Sequence, residues 1–115
     1  MNLVIPKQPN AYCYDNSAKS SHSRAIKAVY RKLALKLPEF TIKTHFNPGG
    51  IAVWGETYAH IYFCGKPVAE AYDTSMGMLV RQWDGNHSGS NNYVQTLDQL
   101  ADAVRSLSSR PFVRF

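Results

Sequence analysis

Tyr58-Ala59-His60-Ile61-Tyr62-Phe63-Cys64-Gly65-Lys66-Pro67-Val68-Ala69-Glu70-Ala71-Tyr72-Asp73-Thr74 reads as two strands and the loop that joins them. Side chains of a strand alternate between its two sides. The first segment, Tyr58–Cys64, therefore puts Tyr58, His60, Tyr62 and Cys64 on one side and Ala59, Ile61 and Phe63 on the other. The second set has the composition of a core. The return segment, Val68–Thr74, offers small Ala69 and Ala71 to a covering helix. Loop length decides how the two strands face each other. A three-residue loop, Gly65–Pro67, sets Cys64 opposite Val68, Tyr62 opposite Glu70 and His60 opposite Tyr72, so the Tyr, His and Glu side chains share one side. A two-residue loop moves the pairing by one position and breaks that arrangement. The two alanines favour the longer loop.

Outward from this hairpin the pattern repeats. Phe40–Phe46 alternates, with Phe40, Ile42, Thr44 and Phe46 on one side and Thr41, Lys43 and His45 on the other. Asn47-Pro48-Gly49-Gly50 makes a turn, Ile51–Glu56 a further strand, and Gly55 a bulge or turn position. Met78–Trp83 is the last strand, and residues 84–93 form a loop too polar to pack. Strands joined by such short turns predict an antiparallel meander over 40–83.

Helical periodicity brackets the meander. Residues 21–37 carry a stripe of Ile26, Val29, Tyr30, Leu33 and Leu37, with Ser21 or Ser23 as N-cap and Pro38 as the stop. Residues 96–109 carry Leu97, Leu100, Ala101, Val104 and Leu107 behind a capping box made by Thr96 and Gln99. Residues 1–20 read as an arm in which Leu3–Ile5 adds an edge strand, and 110–115 as a tail. The expectation is one α+β domain spanning 1–115: an antiparallel sheet of four to five strands with an N-terminal and a C-terminal helix packed on one face. The order helix, strands, helix is similar to that of double-stranded-RNA-binding domains in element order alone. The second helix lacks a basic opening motif, so that family is not assigned.

Composition narrows the function classes. The chain has 115 residues, 44% of them apolar and 12% aromatic, enough for a real core and too many for wholesale disorder. Its formal net charge is +5, unevenly placed: residues 1–50 hold eight Lys/Arg against two Asp/Glu, and residues 51–115 hold five against six. The outward side of the first helix bears Arg24, Lys27, Arg31, Lys32 and Lys36 and no acid. Like charges at that spacing oppose the helix, so a compensating anion or a tertiary neighbour is expected against it. The alternative is a solvated face that keeps the protein soluble. Two cysteines, Cys13 and Cys64, without a C-x-x-C pair make neither a disulfide framework nor a structural zinc site. The opening Met-Asn-Leu-Val-Ile-Pro-Lys is too short an apolar run for a signal peptide, and no run reaches the ~20 residues that span a bilayer. A cytoplasmic protein that engages no membrane is the expectation.

The chemistry points to binding. If helices cover one face of the sheet, Tyr58, His60, Tyr62 and Tyr72 lie on the other, with Trp54 or Trp83 nearby and Lys43 and Arg81 as cations. Such a face suits stacked bases or the aromatic and arginine anchors of a protein interface. The opposing interpretation makes these rings a second small core, since strand aromatics commonly pack. The four histidines, His22, His45, His60 and His87, show no metal-ligand spacing, and no cofactor motif occurs. A cysteine–histidine pair would have to form across strands, from Cys64 to His45. The expected function is a non-enzymatic binding protein for an acidic partner, either nucleic acid or a protein or nucleoprotein complex. It would act as small inhibitors from phages or mobile elements do. The contact residues would be Arg24, Lys27, Arg31, Lys32, Lys36, Lys43, Tyr58, His60, Tyr62, Tyr72 and Arg81. The rivals are a small hydrolase or nuclease using His45, His60 or His87 with Arg81 as phosphate clamp, and a homo-oligomeric structural protein.

Overall fold

The computed structural model describes residues 2–8, 16–47 and 56–112. The element order is α1 (Asn16–Lys36), β1 (Phe40–Asn47), β2 (Glu56–Phe63), β3 (Lys66–Thr74), β4 (Gly77–Trp83), β5 (Ser88–Val94) and α2 (Leu97–Ser109). All five strands form one sheet in the order β1-β2-β3-β4-β5, each antiparallel to its neighbour. This is the expected α+β meander with a helix at each end. The turn and strand expected over residues 47–55 lie, from Pro48 to Gly55, outside the described residues. Cys13, Trp54 and the last three residues of the tail do too.

Both helices cover the same face. Ile26, Val29, Tyr30, Leu33 and Leu37 from the first helical segment meet Ala59, Ile61, Ala69, Ala71, Met78 and Val80 from the sheet. Leu97, Leu100, Val104 and Leu107 of α2 complete the core. Alanines at three of the sheet positions let a helix approach closely. Removing a buried branched side chain such as Leu33 would cost about 2–5 kcal/mol. Polar groups pin α1 at one end of this interface. The Tyr30 hydroxyl donates to the carbonyls of Thr57 and Ala71, at 2.8 and 3.3 Å, and burial holds its pKa well above the ordinary value. Asp73, 3% exposed, accepts from the Thr57 amide at 2.8 Å and from Gln8 Nε2 at 2.9 Å, and lies 2.8 Å from His22 Nε2.

Three boundaries depart from the sequence expectation. Helix α1 starts at Asn16 rather than near Ser21, so residues 16–20 leave the arm. Ser23 caps nothing. It is buried, with its Oγ 2.9 Å from Thr57 Oγ1, which satisfies a small hydroxyl facing the sheet. The polar stretch 84–93 is not a loop throughout. A tight turn occupies Asp84–His87, where Asp84 Oδ1 accepts the amides of Asn86 and His87, and β5 follows it. Polarity misleads there because β5 is an edge strand with exposed Asn91, Asn92 and Tyr93, and only Gly89 and Val94 are buried. Val4 forms an isolated antiparallel bridge with Thr96, so the Leu3–Ile5 run lies beside the entry to α2. Thr96 caps that helix, its side chain accepting from the Gln99 amide. Gln82 closes the other end, donating from Nε2 to the carbonyls of Leu107, Arg110 and Pro111.

The central hairpin corrects the expected register. Phe63 pairs with Lys66, so the turn is the two residues Cys64 and Gly65, with φ of 51° and 79°. Two successive left-handed residues are the signature of a type I′ hairpin. Such a turn alone would set His60 opposite Ala69. The register instead shifts between Ile61 and Tyr62, with Val68 as the extra residue beside Pro67, which has no amide to lose. Beyond the bulge His60 faces Glu70 and Tyr58 faces Tyr72. His60 thus faces Glu70 rather than the expected Tyr72, two positions away. Tyr62, on the turn side of the bulge, faces Pro67 rather than Glu70, and Cys64, expected opposite Val68, sits in the turn itself. The expected sharing of one face survives, because two positions preserve side-chain parity.

A left-handed non-glycine residue costs roughly 1–2 kcal/mol unless its side chain tolerates that region, as asparagine does. Cys64→Asn is expected to stabilise the protein by about 1 kcal/mol, a Tm rise of roughly 4 °C at this size. Thermal unfolding followed by circular dichroism checks it, and an unchanged or lower Tm would show that Cys64 is unstrained.

Candidate binding surface

The helix-free face of the sheet carries three cross-strand rows. In the first, Tyr93, Leu79, Tyr72, Tyr58 and His45 stand in direct register from β5 to β1. In the second, Asn91, Arg81, Glu70, His60 and Lys43 do the same. Trp83 and Tyr62 belong to a third, interrupted by the β3 bulge. Of the residues expected on this face, Lys43, Tyr58, His60, Tyr62, Tyr72 and Arg81 are all brought together here. Trp83, one of the two tryptophans expected nearby, joins them, and alternation also delivers His45, which the sequence offered only as a catalytic rival.

The rings of the face pack on one another. Tyr72 and Tyr58 stack at 5.3 Å, Tyr58 and His45 at 5.2 Å, and His60 lies 4.0 Å from Trp83 with an interplanar angle of 18°. Tyr62 meets Trp83 edge-on at 5.8 Å. Cations extend the array: the Arg81 guanidinium sits 4.9 Å from the Tyr72 centroid and Lys43 Nζ 5.0 Å from that of Tyr62. Such contacts each contribute about 0.5–1.5 kcal/mol and fix the rings as a preformed surface.

Glu70 is the electrostatic centre of the face. It is 3% exposed. Its Oε1 accepts from Arg81 Nε at 2.7 Å and from Ser88 Oγ at 3.0 Å, its Oε2 accepts from the Tyr72 hydroxyl at 2.8 Å, and His60 Nε2 lies 3.4 Å away. A buried carboxylate with four partners is held in place, and it neutralises Arg81 locally. Burial first, and then the bond and charge of Glu70, push the Tyr72 phenol up to about 12, so Tyr72 stays a donor.

The five helix cations divide. Arg24, Lys27 and Arg31, at i, i+3 and i+7, share one flank of α1, and Lys32 and Lys36, at i and i+4, share the other. Lys36 pairs with Asp98 of α2 at 2.8 Å. Arg24, Lys27, Arg31 and Lys32 are exposed and form no ion pair among the described residues. Lys27 and Arg31 line a groove of about 270 Å³ together with Thr44, His45 and Phe46 of β1. The basic helix and the sheet face, two separate features in the sequence, therefore adjoin at the β1 edge.

Of the residues named for the catalytic alternatives, His45 and His60 are neighbours, with ring centroids 4.8 Å apart. His45 faces Tyr58, six residues before Cys64, so Cys64 lies about 20 Å farther along β2 and the two make no pair. His87 is held in its turn by Asp84, 3.4 Å from Nδ1. Among the described residues no three His, Cys, Asp or Glu side chains gather as a metal site would require, and no helix is long and apolar enough to cross a membrane. No family model, no curated protein and no solved structure matches the chain.

Burial, with the neighbouring His45 second, holds the His60 imidazole below its ordinary pKa of 6.5. On acidification the unfolded chain therefore takes up this proton before the folded one does. Stability is full above about 6.5 and falls as pH drops through the lowered folded value. Urea midpoints at pH 7.5 and 5.5 are expected to differ less in His60→Gln than in the wild type. An equal difference would remove His60 as a source of acid sensitivity.

Proposed function

We propose that the chain is a non-enzymatic binding protein that engages an acidic partner, foremost a nucleic-acid strand. Its contact surface runs from Arg24, Lys27 and Arg31 over the β1 edge onto the face that carries Lys43, Tyr58, His60, Tyr62, Tyr72 and Arg81. The observation that carries this reading is the groove shared by Lys27, Arg31 and the β1 edge, because it makes one surface of two. Three exposed cations on one helix flank, unpaired among the described residues, suit a phosphate chain, whose binding releases counterions and weakens with salt. Glu70, the acid of the sheet face, is already engaged by Arg81, Tyr72, Ser88 and His60 and repels little.

A protein or nucleoprotein partner is the second reading, favoured by the ring packing. Tyr72 and Tyr58 use their faces on each other, on Arg81 and on His45, so they offer edges and hydroxyls rather than open stacking platforms. Tyrosine, tryptophan and arginine presented in this way are the usual anchors of protein interfaces. Occupying a host complex by such a surface would inhibit it, as small proteins of phages and mobile elements do.

Replacing Arg24, Lys27 and Arg31 together by glutamate is expected to abolish partner capture from lysate, with the circular dichroism spectrum and Tm of the wild type. Capture by the wild type is expected to fall on nuclease treatment and between about 50 and 200 mM salt, by about tenfold for every two phosphates contacted. Nuclease-resistant capture lost in the triple variant assigns a protein partner. Full capture by that variant excludes the helix as the interface.

A further inference from the structure

Phe46 is 51% exposed although it lies on the helix-covered side of β1. Its neighbours are unlike those of a chance surface phenylalanine. Lys27 Nζ stands 5.7 Å from its ring centroid, and Arg31 and Thr44 line the same groove. Among the described residues no carboxylate lines that groove. Lys27 and Arg31 are an i,i+4 pair of like charge, an arrangement that opposes the helix. An anion between them would reverse that sign. The ring and the two cations lie side by side, and β1 is the edge of the sheet, so its outer peptide groups have no sheet partner among the described residues.

We infer that this groove is a nucleotide subsite, in which Lys27 and Arg31 hold a phosphate and Phe46 packs against the attached base. The inference rests on the reading of the partner as nucleic acid and gives it a unit of recognition. Each component of the ligand has a counterpart. Phosphate suits two adjacent cations, one of them the guanidinium fork that binds two oxygens at once. A base supplies the flat apolar surface that covers a half-exposed ring, a contact of the kind found in single-strand binders. Outward peptide groups of β1, and the Thr44 hydroxyl, supply donors and acceptors for a base edge. Inorganic phosphate satisfies the cations and leaves Phe46 in water. An acidic peptide does the same unless it places an apolar residue beside its carboxylate. The groove of about 270 Å³ lies just below the usual range for whole-ligand pockets, as fits one unit of a longer chain.

Calorimetric titration with adenosine 5′-monophosphate, inorganic phosphate and a five-nucleotide single strand tests this. The monophosphate is expected to bind at least tenfold more tightly than phosphate. Phe46→Ala is expected to weaken the monophosphate about tenfold and phosphate little, a stacking-sized effect. Arg31→Gln is expected to weaken both, and to lower the salt slope of strand binding by about one. Amide chemical shifts of the unmodified protein give a readout independent of any variant: monophosphate should perturb residues 27, 31, 44 and 46. Equal affinity for monophosphate and phosphate, or perturbation elsewhere, would overturn the subsite. Strand binding without monophosphate binding would overturn the subsite and leave the nucleic-acid reading standing. Absence of binding by all three ligands would overturn both.

Discussion

The arrangement of this molecule depends on one inserted residue. Side chains on a strand alternate with a period of two, so a turn of even length and a turn of odd length present opposite faces of the returning strand. The Cys64–Gly65 turn, by itself, would align Ile61 with Val68 and carry Glu70 and Tyr72 to the side of Ala59 and Ile61. Glu70 would then be buried beneath a helix without Arg81, Ser88 or His60 around it, at a cost of several kcal/mol for an unpaired charge. The extra residue at the Pro67–Val68 bulge restores the parity. Ala69 and Ala71 go under the helices, and Glu70 and Tyr72 join the rings. Proline is suited to that position, since a bulge leaves one ladder amide unneeded.

From that register the rest follows in layers. Alanine at 59, 69 and 71 makes a shallow sheet surface on which α1 and α2 both fit, and Tyr30 reaches the strand carbonyls through it. On the opposite face the same alternation lines up tyrosines, histidines, Arg81 and Trp83 in cross-strand rows. Each such cross-strand neighbour pair contributes roughly 0.2–1 kcal/mol.

Much of this was legible in the chain, for identifiable reasons. Strict alternation in Tyr58–Cys64 gave the division between core and open face, and the 3.6-residue period of Ile26, Val29, Tyr30, Leu33 and Leu37 gave α1. The capping pair Thr96 and Gln99 gave the start of α2. What escaped was set by tertiary partners. Strand β5 has a loop's composition because it packs through little beyond Gly89 and Val94. The first turn of α1, from Asn16, has no apolar stripe to announce it. Parity was legible but the turn was not, since a cysteine in a left-handed conformation is an unusual choice and a bulge leaves only a proline as its trace. At the surface, the basic residues were visible as a group, and their division into two flanks needed Asp98 and β1 in space. Phe46 gave no signal at all, because alternation assigns it to the covered side.

The strand order has a consequence for how the chain reaches its native state. Every strand pairs with the one next to it in sequence, so each pairing closes a short loop and loses little chain entropy. Hairpins of this kind form in about 1–10 μs in isolation. The contacts that span the longest separations join the two ends of the chain: Val4 with Thr96, Gln8 with Asp73, and Lys36 of α1 with Asp98 of α2. Chains rich in local contacts fold quickly, and the long-range ones set the pace. Local pairing therefore favours the meander, and the loop-closure cost falls on the contacts that bring the chain's two ends together over it.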